Sequence, residues 1–263
     1  MKRKYSFGLF SLVLMFSIFL AACGSNQDGK SAKISDQKEF RYGMSGLYKP
    51  FNFKDKGKLT GFDVEIGQAI AKKMGMKPVP VTNPWETMIQ GMLAKKYDAI
   101  IGSMTVTEER LKTVNFSNPY YRSGSQVFIM ADNKKLTSVS DLKGKKIGVV
   151  KKSPYGDTAR TLTDSDKVVE YDSDLTALMD LPTGRLDAVI TDQMVGFRVI
   201  KEKAINIKDL GTPLSQDNQA IAVRKEDKAL LEKINKALDE IIKDGTYDKI
   251  SEKWFGRNIL EQK

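Results

Sequence analysis

The sequence predicts an α/β protein built from two similar lobes. Beyond residue 37, short apolar strand patterns alternate with segments whose apolar residues recur at helical spacing, which is typical of α/β folds. This part comprises about 225 residues, enough for two lobes at roughly 100 to 200 residues per domain. The order helix, turn, Asp-Ala and apolar strand also occurs twice, at 96–101 and at 184–192. This faint internal repetition favours two lobes of similar construction.

The amino-terminal segment predicts secretion. A basic start, Met1-Lys-Arg-Lys, is followed by an uncharged and mostly apolar run over 7–22, which is typical of a signal peptide over residues 1–22. A transmembrane anchor is the alternative, because the run is close to the lower length limit for a span. The adjoining Leu-Ala-Ala-Cys resembles the lipobox of bacterial lipoproteins. That resemblance implies lipidation of Cys23 and attachment to the outer face of the bacterial cytoplasmic membrane.

Charge, cysteine content and histidine content exclude several classes of functional site. Residues 23–37 are polar and predict a flexible tether between the lipid and the folded part. The formal net charge of +10 becomes +7 without the three basic residues of the signal peptide, and no nucleic-acid patch is present. Cys23 is the only cysteine and there is no histidine. We therefore expect no internal disulfide, no His-type zinc site, no Ser-His-Asp or Cys-His nucleophile and no cofactor.

The first lobe is predicted element by element from periodicity. Alternating apolar residues indicate a strand over 40–44, and a helix capped by Asp63 follows and ends at Gly75. The strand over 78–81 contains two prolines and should lie near a sheet edge. A second helix over 88–93 and a third strand over 99–101 complete this region.

The second lobe and the carboxyl-terminal region follow the same alternation. The predicted elements are strands at 125–130, 147–150, 168–169 and 186–192, helices at 141–143 and 175–181, and a helix that follows a loop over 151–155 and ends at 162. A strand at 219–224 comes next, then a long helix with Leu230, Ile234, Leu238 and Ile241 on its buried face, and a last helix carrying Tyr247, Ile250 and Trp254.

One stretch, 98–121, carries the strongest functional signal. Its apolar strand ends at Gly102, and Thr107 is a predicted N-cap for a helix whose first turn contains Arg110. A cation there faces the positive end of the helix dipole, so something negative should compensate it. Hydroxyls, a helix terminus and an arginine at a strand end suit a carboxylate ligand. The alternative is a surface pair between Arg110 and Glu108 or Glu109.

This stretch, DAIIGSMTVTEERLKTVNFSNPYY, resembles the signature of the amino-acid-binding proteins of ABC importers, and the likeness extends over residues 38–260. It implies two open α/β lobes joined by two hinge strands, with the ligand cleft between them. Lobe 1 would comprise 38–126 and 219–263, and lobe 2 would comprise 127–218. The chain would cross between them near 126–131 and near 216–220.

The resemblance also implies a binding site. Arg110 and Thr105 would meet a ligand α-carboxylate, Asp192 and the Ser103 carbonyl its ammonium, and aromatic residues its side chain. The full predicted set is Ser45, Tyr48, Trp85, Ser103, Thr105, Arg110, Ser153, Tyr155, Thr191 and Asp192. Asp192 could instead cap the helix over 193–201, and the aromatics could belong to the core.

Two departures bear on the ligand. The second-lobe loop has Pro154, which has no N–H, where the family donates one to the carboxylate, so Ser153 and the Tyr155 N–H would take over. Members that bind basic amino acids often have an acid at the position of Ser45, and Glu86 is the one nearby substitute. We therefore expect a polar uncharged or sulfur-containing amino acid such as cystine, captured by a monomer and delivered unchanged to the membrane subunits of a permease. A dehydratase on a related fold and a sensor domain are the alternatives.

Overall fold

The computed structural model describes residues 38–260. The predicted signal peptide, Cys23 and the tether lie outside the described residues. Within them the chain forms two five-stranded mixed sheets, a small three-stranded sheet and flanking helices. This confirms the predicted α/β class.

The first sheet has the strand order β5-β1-β6-β13-β7. β5, β1 and β6 run parallel, whereas β13 is antiparallel to both of its neighbours. Its strands are β1 (Glu39–Met44), β5 (Lys77–Thr82), β6 (Ala99–Ile100), β7 (Val114–Ser123) and β13 (Asp217–Arg224), and its helices are α1 (Phe62–Lys73), α2 (Met88–Leu93), α3 (Glu108–Thr113), α7 (Lys228–Lys243) and α8 (Thr246–Phe255). The proline-containing β5 lies at the edge, as predicted.

The second sheet has the order β10-β9-β11-β8-β12 and repeats this plan. β10, β9 and β11 are parallel, and β8 is antiparallel to both β11 and β12. Its strands are β8 (Ser125–Met130), β9 (Ile147–Val150), β10 (Val168–Tyr171), β11 (Ala188–Asp192) and β12 (Ile207–Asp209), and its helices are α4 (Tyr155–Leu162), α5 (Asp174–Asp180) and α6 (Gln193–Glu202). The two sheets are therefore built alike, in agreement with the internal repetition.

Two features of the first lobe were not predicted. A meander of short strands, β2 (Leu47–Tyr48), β3 (Asn52–Asp55) and β4 (Lys58–Thr60), follows β1. These strands are too short to produce a clear alternation. The ten-residue β7 was also missed, because it contains Pro119. A proline is tolerated there because β7 is an edge strand of the sheet.

The chain passes between the sheets at two neighbouring points. β7 leads into β8 through Gly124, and the return lies between β12 and β13. These crossing segments bind one another, since Ser125 N–H donates to Ser215 Oγ at 3.0 Å and Leu214 N–H donates to the Ser125 carbonyl at 2.8 Å. A Cβ at Gly124 would lie 2.1 Å from the Ser215 carbonyl oxygen, so only glycine fits this approach. The two predicted crossings fall instead almost entirely inside strands. Residues 126–131 belong mostly to β8, which pairs with two strands of the second sheet, and 216–220 mostly to β13, which pairs with two strands of the first.

The long carboxyl-terminal helix α7 buries Ile234, Ala237, Leu238 and Ile241, which confirms its predicted apolar face. The prediction that Asp63 caps α1 is wrong. The helix starts at Phe62 after Gly61, and no side chain caps it. Asp63 is completely buried, because it points into the protein beneath the loops that follow β1 and β6.

Candidate functional site

A cavity lies between the two sheets, beyond the carboxyl ends of their parallel strands, and holds about 520 Å³ of empty space that includes its opening to solvent. Ligands of open α/β sheets bind in this kind of position. The lining residues are mostly polar or aromatic: Ser45, Leu47, Tyr48, Trp85, Gly102, Ser103, Thr105, Val150, Ser153, Pro154, Tyr155, Asp172, Ser173 and Asp174.

Seven of the ten predicted ligand-binding residues line this cavity, namely Ser45, Tyr48, Trp85, Ser103, Thr105, Ser153 and Tyr155. Arg110 lines the adjoining space, which is continuous with the cavity along Trp85, Ser153 and Pro154. Thr191 and Asp192 lie at the end of β11 and are fully buried rather than among the lining residues. The structure therefore brings eight predicted residues to one cleft and places two immediately behind its wall.

The Arg110 guanidinium is directed across the cleft. Its Nη1 donates to the Thr105 carbonyl at 2.8 Å, and its Nη2 donates to the Lys152 carbonyl of the second lobe at 3.3 Å. The guanidinium carbon lies 5.4 Å from the centroid of the Trp85 ring, within range of a cation–π interaction. Within residues 38–260, Arg110 forms no salt bridge, so the alternative pairing with Glu108 or Glu109 is wrong. Burial lowers the pKa of Arg110, although the nearby Tyr155 and Glu109 oppose the change.

The helix that carries Arg110 begins as predicted. Thr107 Oγ1 accepts a hydrogen bond from Arg110 N–H at 3.2 Å, which caps α3. The cap fixes the first turn of the helix, from which the guanidinium reaches the Thr105 and Lys152 carbonyls beside the cavity.

Asp63 holds the loop after β6 in place. Its carboxylate accepts hydrogen bonds from Tyr120 Oη at 2.7 Å, Ser103 Oγ at 2.9 Å and Asn52 Nδ2 at 2.6 Å. Ser103 has a φ of 58°, a left-handed conformation that is uncommon for serine. Burial raises the pKa of Asp63 to about 6, although these hydrogen bonds oppose the change. The backbone at Ser103 is therefore stabilised by a buried carboxylate that the sequence did not indicate.

The same network reaches the loop after β1. Asn52 Oδ1 accepts hydrogen bonds from Ser45 Oγ at 3.0 Å and from Gly46 N–H at 2.8 Å. Asn52 thus connects the Ser45 loop to Asp63, and Asp63 connects it to Ser103. Two loops that line the cavity share one buried polar centre, which fixes their separation.

Two tyrosines face each other across the cavity. Tyr48 comes from the first lobe and stacks on Phe51 with 5.1 Å between ring centroids. Tyr155 begins α4 in the second lobe and is 7 % exposed. Burial raises the pKa of both tyrosines well above the ordinary value, and the Asp192 carboxylate is the next largest cause for each. Asp192 therefore lies close behind both walls.

The loop around Pro154 offers fewer donors than predicted. Ser153 uses both of its donors internally, since its N–H and its Oγ bind the Val150 carbonyl at 3.1 and 2.7 Å. The Tyr155 N–H, at the start of α4, donates to no acceptor among the described residues. Of the two predicted replacements for the missing N–H of Pro154, the Tyr155 N–H is thus the available one.

Asp192 caps α6, as the alternative predicted for it, and only one of its carboxylate oxygens is used. Oδ1 caps α6 by accepting from Met194 N–H at 2.8 Å, and it also accepts from Ser123 Oγ at 2.5 Å. Oδ2 is buried and has no hydrogen-bond partner among the described residues. Burial raises the pKa of Asp192 to about 7. One oxygen therefore serves the fold, and the other can accept a further donor.

Sequence reasoning missed the acidic residues that line the cavity. These are Asp172 and Asp174, at the end of β10 and the start of α5. Glu86, the acid that had been expected nearby, lines neighbouring surface spaces and not this cavity. The sequence position of these acids could have revealed them. Residues 172–174 come shortly after the strand predicted at 168–169, and residues that follow such a strand lie at the same sheet edge as the other site residues.

The part of the chain that the structure describes contains no group of three or more metal-ligating side chains and no helix long and apolar enough to cross a bilayer. A cleft between two lobes, lined by hydroxyls, aromatics and separate charged groups, defines a protein that encloses a small polar ligand.

Comparison with known proteins identifies the family. Residues 40–257 match the bacterial extracellular solute-binding proteins, family 3, to which the chain belongs. It is 35 % identical over 236 residues to the L-cystine-binding protein TcyJ of Escherichia coli (strain K12), covering 89 % of each chain. An ancestral arginine-binding protein bound to glutamine matches with 42 % identity and a TM-score of 0.79, covering 84 % of this chain and 99 % of that one.

A third relative bears on the enzyme alternative. It is the ancestral amino acid-binding protein AncCDT-1, a precursor of cyclohexadienyl dehydratase, with 33 % identity, a TM-score of 0.77 and coverage of 82 % of this chain and 95 % of that one. All three relatives are thus named as binding proteins.

Proposed function

We propose that this protein is the extracellular receptor of an amino-acid ABC importer, which captures its ligand by closing two lobes and delivers it unchanged to a permease. The observation that carries the proposal is the Arg110 guanidinium, which is half-buried beside the cavity and forms no salt bridge with a carboxylate among the described residues. A buried charge is stable only when paired and hydrogen-bonded. The α-carboxylate of an amino acid supplies the missing partner.

The α-ammonium group of the amino-acid ligand has its own proposed acceptors. The unpartnered Oδ2 of Asp192 is available to an ammonium group, and so is the Ser103 carbonyl that the Asp63 network holds in place. Thr105 and the Tyr155 N–H complete the carboxylate site, and Tyr48 and Trp85 flank the ligand side chain. Thr191 acts indirectly, through its hydrogen bond to Asp174.

Closure follows from the division of these groups between the lobes. Arg110 and Thr105 belong to the first sheet region and Asp192 to the second, so only a closed cleft satisfies both ends of one ligand. Contacts across the cleft, such as the Lys49–Glu202 salt bridge at 3.6 Å, add to the closed state. The proposed lobes are 38–126 with 219–263, and 127–218, except that strand pairing assigns 125–126 to the second lobe and 217–218 to the first. Bending is confined to the segments around Gly124 and 210–216, and the closed monomer is the form that the permease recognises.

The proposed ligand is an amino acid, and cystine is the first to test. We further propose that no chemistry is performed on it, in contrast to a dehydratase. Attachment through a lipid on Cys23, after removal of residues 1–22, would keep the receptor at the membrane. Replacing Cys23 with Ser should release the protein or leave it unprocessed; a variant that remains acylated would refute the anchor.

The proposal is tested by calorimetry of the mature protein with the common amino acids and cystine. Arg110→Ala should abolish binding, and Arg110→Lys should restore only part of it, because an ammonium cannot make the bidentate contact. The matched control is Arg185→Ala, since the Arg185 side chain is 72 % exposed and lines neither the cavity nor the adjoining space. Unchanged affinity in Arg110→Ala, or chemical alteration of the bound ligand detected by mass spectrometry, would overturn the proposal.

A further inference from the structure

The cavity contains one charged group that an ordinary zwitterion leaves unpaired. Asp174 is the first residue of α5, is 6 % exposed and lines the cavity together with Ser173. One carboxylate oxygen accepts a hydrogen bond from Thr191 Oγ1. Among residues 38–260, no lysine or arginine forms a salt bridge with Asp174.

The neighbouring acid is different in each of these respects. Asp172 also lines the cavity, but its side chain is 71 % exposed and pairs with Lys151 Nζ at 2.6 Å. Asp172 is therefore already neutralised at the rim. Asp174 is the buried acid of the cavity wall without a cation.

The hydrogen bonds that Asp174 accepts, from Thr191 Oγ1 and from its own backbone N–H, leave its charge without a cation. An acid in the first turn favours the helix dipole, but the cap of α5 is already supplied by Ser173, whose Oγ accepts from Thr176 N–H at 3.3 Å. Burial raises the pKa of Asp174 to about 6, so most of the carboxyl is still ionised at neutral pH. An ionised and desolvated carboxylate destabilises the closed state unless a cation reaches it.

The proposed receptor function assigns the ligand α-carboxylate to Arg110 and the α-ammonium to Asp192. Resting on that function, we propose that the ligand carries a second cationic group on its side chain and that Asp174 pairs with this group. A dibasic amino acid provides such a group as an ammonium or guanidinium. Cystine provides it as the ammonium of its second half. Both share the chemistry that the cavity selects, and neutral side chains lack it.

The first experiment compares matched ligands on the unaltered mature protein. Calorimetry would be run with arginine against citrulline, lysine against norleucine, and cystine against S-methylthiocysteine, which lacks the second amino-acid end. In at least one pair, the member with the extra cation should bind tenfold or more tightly than its neutral counterpart. The pair that shows the preference distinguishes a dibasic amino acid from cystine. Equal affinities within all three pairs would overturn the proposal.

The second experiment assigns the preference to the residue. Asp174→Asn should reduce the affinity ratio of the selective pair at least tenfold while leaving the neutral member as tightly bound as before. Asp172→Asn is the matched control and should retain the ratio, because that carboxylate is exposed and already paired. If Asp174→Asn weakens both members equally, Asp174 contacts the α-ammonium or supports the fold, and the proposal is wrong.

The outcomes of these experiments distinguish failure of the Asp174 proposal from failure of the receptor function. If neutral amino acids bind in an Arg110-dependent manner without any preference for a second cation, the receptor function stands and the role of Asp174 falls. If no member of any pair binds, both fall together. The ligand comparison needs no variant, so it decides the question even if Asp174→Asn does not fold.

Discussion

Removing the Asp63 carboxylate should both destabilise the protein and weaken ligand binding. Asp63→Ala leaves three buried donors without their acceptor, on Asn52, Ser103 and Tyr120. Each unsatisfied buried donor costs about 1 to 3 kcal/mol, which together gives roughly 3 to 9 kcal/mol. The raised pKa shows that ionised Asp63 is itself held at a cost, and its removal recovers about 3 kcal/mol at about 1.4 kcal/mol per pH unit. We expect a net loss in the free energy of unfolding of roughly 0 to 6 kcal/mol, centred on about 3 kcal/mol.

The assay is urea unfolding followed by tryptophan fluorescence, combined with calorimetry of the ligand. Tyr120→Phe is the graded variant: it removes one donor, leaves the Ser103 N–H without its acceptor and should cost about 1 to 3 kcal/mol. Asp55→Ala is the control, because Asp55 is exposed in β3. An unfolding free energy that is unchanged or increased in Asp63→Ala would refute the structural reasoning. A large loss of stability with unchanged ligand affinity would refute the claim that Asp63 positions the Ser103 loop.

Three further predictions concern pH, closure and packing. The pKa values of Asp63, Asp174 and Asp192 lie above that of an exposed aspartate. Between about pH 4 and 7 the folded state therefore binds more protons than the unfolded state. These groups stabilise the ligand-free protein most below about pH 4, and their contribution is lost as the pH rises to about 7. Thermal unfolding should show this trend, and a profile for Asp192→Asn as steep as that of the unaltered protein would contradict it. Ligand should reduce the radius of gyration measured by X-ray scattering, and Asp192→Ala should weaken both binding and compaction; a tight ligand without compaction would indicate a rigid binder. Gly196→Ala should destabilise the second lobe by about 1 to 3 kcal/mol or more, since the new Cβ would lie 1.9 Å from Phe128 Cζ. The control is Gly184→Ala, which has no atom near its Cβ but a φ of 75° and should cost only about 1 kcal/mol. Equal urea midpoints for Gly196→Ala and the unaltered protein would contradict the clash.

The sequence determined those features whose cause is local. The buried face of α7 follows from a 3.6-residue period, and the Thr107 cap of α3 follows from one side chain next to one helix start. The position of β5 at a sheet edge follows from its prolines. The signature around Arg110 was sufficient to identify the family and to collect eight residues at one cleft, because residues that follow neighbouring parallel strands meet at the same sheet edge.

Only the tertiary structure decided the features that depend on distant partners. Asp63 has the local pattern of a helix cap, but its role comes from Asn52, Ser103 and Tyr120, which are 11, 40 and 57 residues away. Asp192 fits both a cap and a ligand site, and only its surroundings show that one oxygen is used and the other is not. Glu86 and Asp174 look equally acidic in sequence, yet only Asp174 lines the cavity. A local pattern specifies the backbone around a residue, whereas burial and hydrogen-bond partners arise from segments that meet only when the chain is folded.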